Sequence, residues 1–143
     1  MTAAYLPGVS DRVRDQVALY EATGGRKGGT LDCRPIVILT TIGAKTGSIR
    51  KSPVMRIKDG DTYVVVASHG GATANPSWYH NVVKHPHVVV QDGEDVHRLC
   101  AREVHAEEKA RWWRVADLAW SHFADFRAEC GDREIPVMVL EPA

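Results

Sequence analysis

Two glycine-bearing segments of this chain hold the residue types that could grip an anion. The first, Gly43-Ala44-Lys45-Thr46-Gly47-Ser48-Ile49-Arg50, sets an ammonium, two hydroxyls and a planar guanidinium between two β-rich stretches. Glycine allows backbone amides to approach a ligand closely, so such a loop can surround phosphate or carboxylate oxygens. It is not a P-loop, because the Gly-x-x-x-x-Gly-Lys-Ser/Thr spacing is absent and a strand follows. On composition alone a solvated basic hairpin explains it equally well. The second segment, Ala67-Ser68-His69-Gly70-Gly71, ends a strand ahead of a helix opening near Pro76. That helix N-terminus would add positive potential. The two loops follow neighbouring strands, so one ligand could touch both, although Gly70-Gly71 also reads as a simple chain reversal.

A third group is aromatic. Trp120, Phe123 and Phe126 recur three apart in a late helical stretch and fall on one face, either lining an apolar pocket or packing a core. Other chemistries find no support. His85 and His87 flank Pro86 without a ligand-spaced partner, so no metal is expected. Ser68 lacks the Gly-x-Ser-x-Gly elbow of a hydrolase nucleophile. The cysteines, Cys33, Cys100 and Cys130, are odd in number and widely spaced, which predicts reduced thiols rather than a disulfide framework.

The elements that must position these groups follow from periodicity. The chain has 143 residues, 44% apolar and 25% charged, which fits one globular domain spanning residues 1–143. Lys plus Arg equals Asp plus Glu at 18 each, so no overall field favours nucleic acid or anionic lipid. Basic residues cluster locally instead, from Arg34 through Lys45, Arg50, Lys51 and Arg56 to Lys58. Ser10 caps a helix carrying Val13, Val17 and Tyr20, which stops in the glycines after Thr23. Pro35–Thr41 reads as a strand buried on both faces, Arg50–Ile57 as its successor, and Thr62–Ser68 as a third strand after a tight turn at Lys58–Asp61. Asn75 and Pro76, as cap and first helical residue, open a helix through Trp78 and Val83. His87–Gln91 and Val96–Val104 form a hairpin. Glu107 to about Phe126 reads as one helix with Trp112, Val115, Leu118 and Ala119 on one face, and Ile135–Leu140 as a last strand. Hairpin-linked strands with three flanking helices predict an α+β fold, an antiparallel sheet curled into a barrel.

Four stretches then stand together in order: Leu39–Gly47, Val65–Gly71, Asn75–Asn81 and Asp132–Val137. This set resembles the deazaflavin-dependent nitroreductases, the reductases that use coenzyme F420, across roughly Gly28–Pro142. The resemblance implies a split β-barrel related to the flavin-nucleotide-binding barrels. It also implies hydride transfer from reduced F420 to a quinone, activated double bond or nitroaromatic. It places Lys45, Thr46, Gly47 and Arg50 on the phosphate and acidic tail of the cofactor. Pro53 and Met55 would lie along the ring, Val65, Val66, Ala67 and Ser68 would contact it, and His69, Gly70, Gly71, Asn75 and Trp78 would complete the pocket. Ser68 is also a candidate proton donor.

The sequence departs from that pattern at His69, often Lys in the family, and at Ala44, often Arg or another polar residue. Trp120, Phe123 and Phe126 stand where nitroimidazole-activating members carry tyrosines, so a larger flat apolar acceptor is expected in their pocket. A non-catalytic barrel, or one using an ordinary flavin nucleotide, is the alternative. A cytoplasmic location is expected, with a peripheral place at the membrane as the alternative and no apolar run of membrane-spanning length. Met1–Val9 is expected to be either disordered or folded over the substrate mouth.

Overall fold

The computed structural model describes residues 4–8, 10–31, 33–69, 74–130 and 133–143. In chain order the elements are α1 (Asp11–Thr23), β1 (Thr30–Leu31), β2 (Arg34–Ile42), β3 (Ile49–Met55), β4 (Lys58–Asp59), β5 (Thr62–Val66), α2 (Ser77–Lys84), β6 (His87–Asp92), β7 (Asp95–Glu103), α3 (Ala106–Ala119), α4 (Phe123–Glu129) and β8 (Val137–Pro142). All strand pairings within the sheet are antiparallel, in the order β1-β2-β6-β7-β8-β5-β4, with β3 paired to β2. The sheet curls so that β3, at one end, and β5, one strand in from the other, come close to one another. The result is the split barrel expected from the sequence.

Strand alternation explains the burial on both faces. Val37 and Leu39 of β2 point into the barrel with Tyr63, Val65, Met138 and Leu140. Their neighbours Ile36 and Ile38 point outward against Val17 and Tyr20 of α1. On β5 and β8, Val64, Val137 and Val139 face outward under Trp112, Ala116 and Phe123. A period of two thus feeds separate apolar clusters from single continuous runs. From α2, Trp78 and Val82, one turn apart, plug the barrel interior.

Several expectations needed revision. The long C-terminal helix is two: α3 ends at Ala119, Trp120 is extended at φ −155° and ψ 108°, and α4 begins at Phe123. Four helices, not three, therefore flank the sheet among the described residues. Leu118 is 88% exposed rather than on the buried face. At about 100° per residue it lies roughly 240° around the helix from Trp112, whereas Ala116 lies only about 40° away. Nor does Asn75 cap α2: Pro76 is the N-cap, the helix begins at Ser77, and the cap makes no side-chain hydrogen bond. The side chain of Asn75 is taken by Arg133 instead.

Candidate functional site

One cavity of about 670 Å³ opens beside β3. Its lining draws on six consecutive residues of the strand, Arg50 to Met55, on Val66 at the end of β5, and on Ser68 and His69 just past it. Both strands border the open seam of the sheet: among the described strands β3 pairs with β2 alone, and β5 with β8 and β4. From Arg50 to Met55 the strand covers about 16 Å at ordinary extended rise. The Met55 end packs on the cluster that holds Trp120 and Phe126. The Arg50 end lies beneath the N-terminal segment, where a guanidinium nitrogen comes within 3.4 Å of the space a side chain at Gly8 would take. One elongated site therefore has an apolar end and a cationic end.

The aromatic end is well defined. Trp120 meets Phe123 and Phe126 edge-on at ring-centroid distances of 5.1 and 5.2 Å, and Phe123 and Phe126 are 6.5 Å apart. These spacings favour T-shaped contacts through the ring quadrupoles. Had the helix continued, the three side chains would spread over about 120° of its surface. The break at Trp120 folds them onto one another instead, and all three line the cavity. Asp117 on α3 accepts a paired hydrogen bond from Arg127 on α4, 3.0 Å on each side, clamping the two helices across that break. The same guanidinium lies 4.1 Å over the ring of Trp113.

At the cationic end the local basic cluster divides. Arg56 binds Asp92, which also accepts from Tyr63 Oη at 2.6 Å. Lys58 lies over the ring of Tyr63. Lys51 lines the cavity but is paired with Glu21. The side chain of Arg50 lines it with no ion pair or hydrogen bond among the described residues. From α1, Arg12 does the same, while Arg14 is paired with Asp11 and Asp15. Residues Ala4 to Gly8 run beside the start of β3, through Leu6 N–H to Ile49 O and Ile49 N–H to Ala4 O, each 2.8 Å. Tyr5 and Gly8 thereby join the cavity wall. Met1–Ala3 and Val9 lie outside the described residues.

The loop between β2 and β3 is built for closeness. A Cβ on Gly43 would come within 2.8 Å of Thr46 Oγ1, and Gly47 sits at φ 71°, a left-handed conformation that glycine accepts without strain. Gly43 N–H bonds Ser48 O at 2.7 Å and Gly47 N–H bonds Gly43 O at 2.9 Å, so the turn closes on itself. Thr46 Oγ1 accepts from Ser48 N–H. Asn81 of α2 holds the loop from the side: its Oδ1 accepts from Ala44 N–H at 2.9 Å and its Nδ2 donates to Thr41 Oγ1 at 3.1 Å. Lys84 adds a bond to Ala44 O.

The structure brings together only part of the expected set. Arg50, Pro53, Met55, Val66, Ser68, His69, Trp78, Trp120, Phe123 and Phe126 share the cavity wall. Lys45, Thr46 and Gly47 are exposed on the loop and do not line it. Val65 and Ala67 are buried in the core, and Ala67 has both backbone groups engaged, N–H by Pro136 O and C=O by Arg133. Asn75 is likewise held by Arg133, outside the wall. Gly70, Gly71 and Asp132 lie outside the described residues. His69 Nδ1 lies 3.0 Å from Ala74 O, so that nitrogen carries the proton and Nε2 remains for other contacts. Among the described residues no cluster of three or more metal-binding side chains exists.

Sequence reasoning missed Arg12, Gln16 and Asn81 in the wall. Arg12 and Gln16, four apart, share a face of α1, a spacing that was readable. Asn81 carried no such signal, since a lone Asn in a helix names no partner.

The donor set and shape fit a long ligand with a planar ring and an anionic tail, which unpaired Arg50 and Arg12 would offset. Comparison with known proteins agrees. The family profile described as F420H(2)-dependent quinone reductase matches residues 12–142. Over 127 residues the chain is 34% identical to an F420H(2)-dependent quinone reductase of Mycobacterium tuberculosis (strain ATCC 25618 / H37Rv), covering 86% of this chain and 85% of that protein. A solved F420-H2 dependent reductase, FDR-A, superposes with a TM-score of 0.70 at 45% identity, covering 76% of this chain and 95% of that one. The heme storage protein HutZ of Vibrio cholerae shares the fold alone, with a TM-score of 0.54 at 14% identity over 88% of this chain and 89% of its own. With the profile spanning nearly the whole chain and the relatives aligned over three quarters of it or more, this protein belongs to the F420H(2)-dependent quinone reductase family and is an F420H2-dependent reductase.

Proposed function

We propose that the acceptor is a flat, electron-poor organic ring of the quinone type, seated against Trp120, Phe123 and Phe126. One observation carries this: the three rings meet at 5.1 to 6.5 Å in the wall of the same cavity that Arg50 and Ser68 line. Bound in that cavity, reduced F420 supplies the hydride.

The chain supplies orientation and charge. Arg50 and Arg12 offset the negative tail, with exposed Lys45 and Thr46 reinforcing them from the adjoining loop. Pro53 and Met55 form the apolar strand face on which the cofactor ring rests. The aromatic trio offers the acceptor ring edges and faces while keeping water from it. The acceptor gains a hydride and one proton, leaving as the two-electron-reduced hydroquinone. Ser68, whose hydroxyl bonds no described residue, stands in the wall to pass that proton or to hold the acceptor oxygen.

The test is turnover of reduced F420 with a naphthoquinone, followed by cofactor absorbance, with flavin and nicotinamide controls. Oxidation of reduced F420 that depends on both enzyme and quinone is expected. Tight F420 binding without turnover by any quinone would remove the proposed acceptor class. Arg50→Ala should weaken cofactor binding more than it alters the quinone KM; the reverse pattern would place Arg50 on the acceptor instead.

A further inference from the structure

Arg133 stands in the segment leading into β8, which is fixed beside β5 by the register Tyr63↔Leu140 to Val66↔Val137. Its Nη1 donates to Ala67 O at 2.8 Å and to the side-chain oxygen of Asn75, and its Nη2 donates to Ser68 O at 2.7 Å. In an extended strand successive carbonyls point to opposite sides. Here two consecutive carbonyls converge on one guanidinium, so strand geometry must end at this point, and β5 does stop at Val66. His69 follows at φ 50°, a left-handed conformation unusual for a residue with a side chain.

The trans peptide sets each N–H opposite the preceding C=O. Holding the carbonyls of Ala67 and Ser68 toward Arg133 therefore turns the N–H groups of Ser68 and His69 the other way, together. Neither donates to an acceptor among the described residues. Both residues line the cavity. Successive amides aligned in this way around a left-handed residue form a concave donor pair suited to an electronegative atom.

We infer that Arg133 is a positioning residue: its guanidinium orients the Ser68 and His69 amides as a donor pair for an electronegative atom of the ligand in the cavity. The role rests on the cofactor-binding reading above only for the identity of that ligand. A planar fork is required, because one ammonium cannot reach three acceptors in the same arrangement. Arg133 touches no reacting atom; it acts through the peptide planes it fixes.

Backbone order parameters of the ligand-free protein test this without the cofactor. In Arg133→Lys and Arg133→Ala, the Ser68 and His69 amides should fall from about 0.85 to below about 0.6, while the β5 and β8 amides keep rigid values. Asn75→Ala, which removes a single acceptor of the fork, should move the same amides by less. Guanidinium ion at millimolar concentration should restore order in Arg133→Ala. In parallel, F420 binding read by quenching of tryptophan fluorescence should weaken about tenfold in Arg133→Lys, the loss expected for charged hydrogen bonds of this kind. Unchanged order parameters at Ser68 and His69, or a fall spread evenly through β5 and β8 with no recovery on adding guanidinium, would overturn the inference. If the unaltered protein bound no F420, the ligand assignment would fall, and the order parameters would still decide what Arg133 does.

Discussion

Asn81→Ala tests whether the β2–β3 loop is held by the helix that plugs the barrel. Asn81 is 7% exposed and bridges Thr41 Oγ1, on a residue only 1% exposed, to Ala44 N–H. Truncation leaves the Thr41 hydroxyl buried without its donor, at a cost of about 1–3 kcal/mol. Ala44 is half-buried, so water partly replaces its lost acceptor and the second loss is about 0.5–1.5 kcal/mol. Together the fall in unfolding free energy should be about 1.5–4.5 kcal/mol, or a drop in Tm of roughly 5–15 °C for a chain of this length. Urea unfolding at an unchanged m-value measures it directly. Thr41→Val supplies the control. Combined with Asn81→Ala it leaves no orphaned hydroxyl, so the double variant should lose about 1 kcal/mol less than the sum of the singles. A loss below about 1 kcal/mol for Asn81→Ala, or additivity within about 0.5 kcal/mol, refutes the bridge.

Alkaline pH should expose the link between α2 and β7. Tyr79 Oη donates to Glu103 Oε1 at 2.6 Å, and this carboxylate, with burial, pushes the phenol up to about 12. The folded state then keeps a proton that the unfolded chain loses near pH 10, so stability is complete below that pH and declines as pH rises from 10 toward 12. Tyr79→Phe should flatten the decline, leaving the parts due to Tyr63, which is also pushed up by burial and its bond to Asp92, and to Tyr20, pushed up by burial; an unaltered slope would dismiss the Tyr79 contribution. Breaking the α3–α4 clamp with Asp117→Asn should cost only about 1 kcal/mol, since both side chains are about one-third exposed. It should nonetheless loosen the Trp120 turn, raising acrylamide quenching of tryptophan and the acceptor KM. Unchanged quenching and KM would mean that the aromatic packing alone holds the turn.

Much of the fold was legible because single runs carried two messages. In Pro35–Thr41 a nearly unbroken β-branched run announced burial on both faces, and the structure puts alternate residues into different clusters. Hairpin turns were readable from glycine and aspartate. The break at Trp120 was not, because three-residue spacing fits a continuous helix as well as a folded-back one. What decides between them is Trp120 packing on Phe123 and Phe126, a contact that local propensity does not contain. Leu118 was a different matter: helical geometry alone sets it off the Trp112 face, and its apolar type misled.

The sequence by itself determined the longer strands, the family and the chemical inventory of the site, because these follow from residue type, local period and ordered motifs, while the two-residue strands Thr30–Leu31 and Lys58–Asp59 carry too little pattern to read. Only the tertiary structure decided which charges remain available. Arg56 and Lys51 look equivalent to Arg50 in the sequence, yet Asp92 and Glu21 neutralise them, while Arg50 is left facing the cavity. Whether a cation serves a ligand or the fold depends on which carboxylate the folded chain brings within reach, and that is a property of distance in space.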